Sequence, residues 1–244
     1  MSSNICIEIH ELSKKYKNAT HNSLNKVNIN IKAGDKFGVI GPNGAGKTTL
    51  ISIICGIIPG SSGNVNFLQT ENIKQQLGFV PQDYAFYPQL TPVQNFEYFG
   101  ALYNLNKKNI SDRIDNLLPI LGLEKVANKK INTFSGGMKR RVNLGIGIFH
   151  EPSILLLDEP TVGVDVQSKN AIMKLLHELN KNGTTIIYSS HHLSEAEEFC
   201  NTIALIDHGE IIANDSTSVL LKTYHSKNLQ SLFIQLTGTE YRDV

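Results

Sequence analysis

Residues 41–48 read Gly-Pro-Asn-Gly-Ala-Gly-Lys-Thr, which fits the spacing G-x-x-x-x-G-K-[ST]. Glycines at Gly41, Gly44 and Gly46 let backbone N–H groups turn inward around an anion, and a helix starting at Lys47 would add its partial positive charge. Lys47 then brings an ammonium to the terminal phosphates of a nucleotide, and Thr48 offers a hydroxyl to a divalent cation. Pro42, Asn43, Ala45 and Thr49 complete the loop and the turn that follows it. A second group, Ile154-Leu-Leu-Leu-Asp158-Glu159, is an apolar run ended by two carboxylates. Asp158 can hold Mg²⁺ directly or through water, and Glu159 can orient an attacking water or accept its proton. Leu-Leu-Leu-Asp alone is a common strand ending. Behind a phosphate loop it points to phosphoryl chemistry.

Such residues need a strand before the loop and a helix after it. Phe37–Ile40 is a short apolar strand leading into Gly41, and Leu50, Ile51, Ile54 and Ile58 fall at helical spacing after Lys47. Upstream, Val27, Ile29 and Ile31 alternate with polar residues as in a half-buried strand, and Gly34-Asp35 is a turn. Further along, Ile154–Leu157 reads as a strand buried on both faces of a parallel sheet. Ile172, Leu175, Leu176 and Leu179 form a helical stripe stopped at Asn182-Gly183. Thr184–Tyr188 and Ile203–Ile206 are strands, the second turning back in a hairpin at His208-Gly209. Between about Thr91 and Phe149 no comparable strand occurs. Thr91-Pro92 makes an N-cap and first turn, and Ser135 caps a helix running to Phe149. The pattern is an α/β domain carrying a helical insertion.

Composition limits the alternatives. At 41% hydrophobic and 18% charged residues, the 244-residue chain is neither collagen-like, nor stapled by disulfides, nor wholly disordered. A formal net charge of +1 gives no global field toward nucleic acid or acidic lipid. Cys6, Cys55 and Cys200 lie far apart without a C-x-x-C spacing, which suggests neither a disulfide framework nor a zinc site. No apolar run approaches the roughly 18 residues of a membrane-spanning helix, and the N-terminus lacks the pattern of a secretory signal. A chain soluble on its own and cytosolic is expected.

Between the two phosphate-linked motifs lies Phe134-Ser135-Gly136-Gly137-Met138, which resembles the LSGGQ signature of ATP-binding cassette (ABC) ATPases. The order of motifs is similar to that family over essentially the whole chain. Tyr16 falls where the family stacks an aromatic ring on adenine, and Gln82 matches its Q-loop glutamine. Pro160-Thr-Val-Gly-Val-Asp165 looks like its D-loop, and His191 falls at its switch histidine. The resemblance implies a P-loop NTPase fold with a mainly parallel core sheet, an N-terminal antiparallel β part and a helical insertion. It divides a single domain, 1–244, into a nucleotide-binding core at 1–82 and 150–215, a helical subdomain at 83–149 and a C-terminal helical tail at 216–244.

ATP and Mg²⁺ are the implied cofactors. Gln82 would join Thr48 and Asp158 at Mg²⁺, Glu159 would polarise the attacking water, and His191 would hold the γ-phosphate. Ser135, Gly136 and Gly137 form an anion-binding helix start, and in the family that start meets the ATP of a facing second subunit, with Asp165 at the same contact. A homodimer is expected, driving separate transmembrane permease subunits from the cytoplasmic face of the membrane, with no nucleic-acid partner. Phe134 and Met138 depart from the usual Leu and Gln, and Thr-Val-Gly-Val-Asp from the commoner Ser-Ala-Leu-Asp. Both variants, and the C-terminal segment from Ser231 to Gly238, resemble those of drug and antibiotic exporters and lipid-exporting ABC proteins. The rival reading, an ATP-gated clamp on ribosome or DNA, usually comes with tandem cassettes, coiled coils or basic arms.

Plainer roles compete at several positions. His192, beside His191, is a surface or packing residue, because neighbours after a strand point apart and do not chelate together. Lys139-Arg140-Arg141 reads as a solvated helix face. Asp165 can start the next helix as well as contact a partner. Eight of the eighteen Phe and Tyr residues fall between Phe79 and Tyr103. Phe96, Phe99 and Tyr103 share a helical face and read as core, whereas Tyr84, Phe86 and Tyr87 lack that spacing and read in part as exposed docking aromatics.

Overall fold

The computed structural model describes residues 4–68 and 72–238, and the chain divides into two compact units, residues 1–71 with 185–244 and residues 72–184. Residues 239–244, the end of the expected tail, lie outside the described residues. The first unit opens with β1 (Ile5–Lys14), β2 (Leu24–Lys32), β3 (Lys36–Ile40), helix α1 (Lys47–Ile54) and β4 (Ser62–Phe67). β1 pairs antiparallel with both neighbours in the order β2-β1-β4, which is the expected N-terminal antiparallel part. In β2 the side chains of Val27, Ile29 and Ile31 are buried while Asn28, Asn30 and Lys32 face water, as the alternation predicts. The helical stripe expected from Leu50 to Ile58 is shorter than its spacing suggests. α1 stops at Ile54, the chain turns left-handed at Gly56 (φ 71°), and Ile58 sits half-buried beyond the helix.

The second unit carries α2 (Ile73–Gln76), β5 (Leu77–Val80), α3 (Pro92–Leu102), α4 (Lys107–Leu121), α5 (Gly136–Ile148), β6 (Ile154–Asp158) and α6 (Val166–Lys181). Thr91 and Gln94 form a capping box at the start of α3 with Pro92 in the first turn. Ser135 caps α5 as expected, its hydroxyl accepting from the Met138 N–H at 3.3 Å. Phe96 stacks on Phe149 with ring centroids 5.3 Å apart, and the two pack among Ile110, Ile114, Val142 and Ile146. Phe99 packs partly against this core, while Tyr103 caps α3 and lies flat on His150 at 3.7 Å. β5 pairs parallel with β6 in the register Leu77↔Ile154. Four residues are too short to display a period, so β5 is absent from the pattern reading. Gly78 lets it lie against α5, because a Cβ there would come 2.3 Å from the Gly147 carbonyl oxygen.

The first unit is completed by β7 (Thr185–Ser190), α7 (Leu193–Phe199), β8 (Thr202–Asp207), β9 (Glu210–Ser216), α8 (Thr217–Thr223) and α9 (Leu229–Thr237). Here β3 lies between β7 and β8 and runs parallel to both. β9 returns antiparallel to β8 through His208 (φ 47°) and Gly209 (φ 79°), two left-handed residues that match the twist of a tight hairpin. Parallel pairs dominate beyond the N-terminal β part, and α3 to α5 form the helical insertion, so the architecture is the α/β class expected.

Candidate functional site

In the first unit the phosphate loop begins where β3 ends. β7 is its parallel neighbour in the register Ile40↔Ser190, and the Gly41 N–H donates to the Ser190 carbonyl at 3.3 Å. The loop and His191 therefore leave the carboxyl ends of adjacent parallel strands, the place where open α/β sheets bind ligands. Gly41 cannot carry a side chain, since a Cβ would lie 2.0 Å from the Ile206 carbonyl oxygen. Gly46 precedes α1 at φ 110°, and a Cβ there would meet the Ser23 carbonyl oxygen at 2.5 Å. Gly44 (φ 79°) is exposed with open space beside it, where a ligand can approach bare backbone. Asn43 is likewise exposed, whereas Pro42 and Ala45 are buried beneath the loop.

Lys47 is 5% exposed, and its ammonium donates to two carbonyls of its own loop, Gly41 at 2.9 Å and Pro42 at 3.1 Å. The cation is thus stored inside the loop it would serve. Thr48 is exposed on the first turn of α1. Next to it, Thr49 meets the Tyr16 hydroxyl at 3.4 Å, which tethers the ring of Tyr16 to the helix. That ring is 44% exposed, and the Lys14 ammonium lies 5.3 Å from its centroid. An accessible ring anchored beside a phosphate loop can stack on a base. His191 is half-buried, its ring 4.0 Å from that of the exposed His192.

In the second unit Asp158 ends β6 at 1% exposure and Glu159 follows at 5%. Glu159 has φ 48°, a left-handed conformation that costs a non-glycine residue and is concentrated at functional sites. Gln82 is exposed two residues past β5. At the start of α5, Ser135 and Gly136 are exposed and Gly137 is buried. A Cβ on Gly137 would lie 2.1 Å from Ser168 Oγ and 3.0 Å from Asp165 Oδ2, so the signature segment packs on the first turn of α6. Asp165 caps that turn, accepting from the Ser168 N–H at 2.9 Å and the Ser168 hydroxyl at 2.8 Å. Those bonds hold its carboxyl below the ordinary carboxylate range.

Four residues here escape pattern reading. Arg140, expected on a solvated face, is 5% exposed and donates to the carbonyls of Gln82 (2.8 Å), Pro81 (3.3 Å) and Val162 (3.4 Å). Arg141 also turns inward, donating to the Leu121 carbonyl at 2.6 Å. The triplet reading fails because α5 is buried on nearly every side from Val142 onward, so its polar side chains must find partners inside. Asn143 donates to the Pro81 carbonyl at 3.1 Å and accepts from the Ala85 N–H at 2.9 Å. His150 bonds the Leu77 carbonyl at 3.1 Å. Polar residues three apart in an apolar helix are the signal that was available. Of the aromatics after Gln82, Tyr84 is 42% and Tyr87 46% exposed, while Phe86 is half-buried against the helical core.

In the first unit the bare backbone at Gly44 and the helix start at α1 suit phosphate, and the Thr48 hydroxyl beside them is a hard oxygen donor. In the second unit the Asp158 carboxylate and the Gln82 amide are likewise hard oxygens of the kind that Mg²⁺ takes. Fold and loop together define a P-loop nucleotide-binding protein. The chain belongs to the ABC transporter family, whose model matches residues 24–162, and is its ATP-binding, ATP-hydrolysing subunit. The linearmycin resistance ATP-binding protein LnrL of Bacillus subtilis (strain 168) is 42% identical over 213 residues, 85% of this chain and 68% of that protein. A solved ATP-binding subunit of an ABC transporter superposes with a TM-score of 0.85 at 25% identity, covering 95% of this chain and 99% of its own. A dimeric cassette in a post-hydrolysis state, bound to ADP and Pi, superposes at 0.77 with 29% identity over 86% of this chain and 98% of its own.

Proposed function

We propose that this cassette works as a homodimer, binds ATP with Mg²⁺, and powers an exporter from the inner face of the cell membrane. The observation that carries the reading is an exposed helix start, Ser135-Gly136, in addition to the one at Gly46-Lys47, where Gly46 is half-buried and the adjoining Thr48 exposed. Both present N–H groups suited to an anion. A symmetric dimer supplies two meetings in which the signature of one subunit completes the phosphate site of the other. The 42% identity to a linearmycin resistance protein supports export as the direction.

On this reading Lys47 and the N–H groups of residues 41–49 hold the phosphates, Tyr16 stacks on adenine, and Ser135, Gly136, Gly137 and Asp165 form the dimer contact. Thr48, Asp158 and Gln82 hold Mg²⁺, which would neutralise phosphate charge. Glu159 takes a proton from the attacking water and His191 steadies the γ-phosphate. Residues 1–82 and 150–215 act as the nucleotide core, 83–149 as the helical subdomain and 216–244 as the tail. Among the described residues no helix is long and apolar enough to cross a membrane, and we assign the cargo path to separate permease subunits. The exposed rings of Tyr84 and Tyr87 offer those subunits an apolar docking surface.

Glu159→Gln tests the reading. The amide keeps size and hydrogen-bonding reach but cannot accept the proton, so turnover falls by about 10²–10⁴-fold while ATP still binds. With hydrolysis blocked, the variant accumulates as an ATP-bound dimer in size-exclusion chromatography with MgATP. Near-normal phosphate release removes Glu159 from catalysis. Slow hydrolysis without dimer counts against ATP-driven dimerisation.

A further inference from the structure

Gln82 sits on a short segment after β5 that has no helix or sheet ladder of its own past Val80. Its backbone is held from one side by α5. Arg140 donates to the carbonyls of Gln82 at 2.8 Å and Pro81 at 3.3 Å. One turn further along the same helix face, Asn143 donates to the Pro81 carbonyl at 3.1 Å and accepts from the Ala85 N–H at 2.9 Å. The other arm of Arg140 reaches the Val162 carbonyl at 3.4 Å, three residues past Glu159. Tyr84 closes the arrangement, with the Arg140 guanidinium 5.2 Å from its ring centroid and its hydroxyl donating to the Gly136 carbonyl at 3.3 Å.

We infer that Arg140, with Asn143, is a positioning residue that fixes Gln82 to the signature helix, so that the glutamine is set for Mg²⁺ and water by the helix that carries Ser135–Gly137. Three features single it out. The guanidinium is buried, and among the described residues its hydrogen bonds go to carbonyl oxygens and to no carboxylate, while Asp83 and Glu159 act on it only through their charge. Its Nε is buried and makes no hydrogen bond among the described residues, a desolvation cost retained while the other nitrogens reach the two loops. The bonds also go to main-chain oxygens, so they constrain where the loop runs and leave the Gln82 side chain available. The inference rests on the proposed roles of Gln82 and the signature.

The test uses the full chain with Arg140→Lys, which keeps the charge but loses the fork, and Arg140→Gln as a second variant should the first fold poorly. Amide hydrogen exchange without nucleotide is read first, on peptides covering residues 81–85 and 160–164. Faster exchange in both, with the rest of α5 unchanged, is expected; unchanged exchange overturns the inference whatever the enzyme does. Steady-state turnover is read next. A kcat about 10- to 100-fold lower, with KM for ATP within about two-fold of wild type, is expected. In a Gln82→Ala background the same Arg140 substitution should cost less than about two-fold, because a residue acting through Gln82 has nothing left to position. A full penalty in that background shows that Arg140 supports the fold generally and overturns the positioning role. Loss of turnover in wild type itself would strike the ATPase reading and leave the exchange result to decide the staple.

Discussion

Acidification tests the packing of the signature helix through His150, which follows the C-cap of α5. The imidazole is 8% exposed, lies flat on Tyr103 at 3.7 Å and uses Nε2 to bond the Leu77 carbonyl at 3.1 Å. A carbonyl only accepts, so Nε2 carries the proton and Nδ1 is left as a buried lone pair without a partner among the described residues. Protonating Nδ1 would bury an uncompensated charge. Burial is the main reason the pKa falls from 6.5 to about 4; the nearby Arg113 charge adds to the shift and the Leu77 bond opposes it. Between those values the unfolded chain binds a proton that the folded chain refuses. Stability is therefore intact above pH 6.5 and drains as pH falls toward about 4, at about 1.4 kcal/mol per pH unit, which makes about 3 kcal/mol in all. His150→Phe keeps a flat ring on Tyr103 and abolishes the titration. It also strands the Leu77 carbonyl, which costs about 1–3 kcal/mol at neutral pH. Urea unfolding of both proteins at constant ionic strength, from pH 7.5 to about 4.5, should give curves that converge or cross, with wild type losing its advantage on the acid side. Other carboxylates titrate in both proteins and cancel in the difference. Parallel curves across this range would refute the buried neutral imidazole.

Two further substitutions address the nucleotide. Lys47→Ala removes the ammonium now bonded to the Gly41 and Pro42 carbonyls; charged hydrogen bonds contribute about 1.5–3 kcal/mol each, so ATP affinity measured by calorimetry should fall at least about ten-fold, and unchanged affinity would sink the phosphate-loop assignment. Tyr16→Ala should weaken ATP by about 1–3 kcal/mol, the range of base–aromatic stacking, and leave inorganic tripolyphosphate binding unaltered; equal losses for both ligands would move the ring from base stacking to support of α1.

Local constraints were the legible part of this chain. Gly41 and Gly46 are written into the sequence because a neighbouring carbonyl allows no side chain at either, and Thr91 and Ser135 because helix starts demand a side-chain acceptor. β2 could be read because one of its faces is wet and the other dry. Where burial is two-sided or an element is short, that contrast vanishes. β6 survives as a five-residue apolar run, whereas the four residues of β5 give no period and contain a glycine chosen by α5. Ile58 misled for a related reason: its spacing suits a helix, but the left-handed turn at Gly56 intervenes and spacing alone carries no stop signal.

The largest gap concerns α5, where charge does not mean exposure. In an amphipathic helix Lys-Arg-Arg marks the wet face, but α5 has almost no wet face beyond its first turns. Its polar side chains are retained for what they reach: Arg140 and Asn143 take the chain leaving β5, and His150, just past the C-cap of α5, takes the Leu77 carbonyl where β5 begins. One helix thus holds its neighbouring strand at both ends, with Gly78 and Gly147 closing the gap between them. A displacement of the α5 N-terminus cannot be confined to the signature, because the bonds that would absorb it belong to the segment carrying Gln82. In a buried helix the informative quantity is therefore the distance from each polar side chain to the nearest unsatisfied backbone oxygen, which no count of charges along the sequence contains.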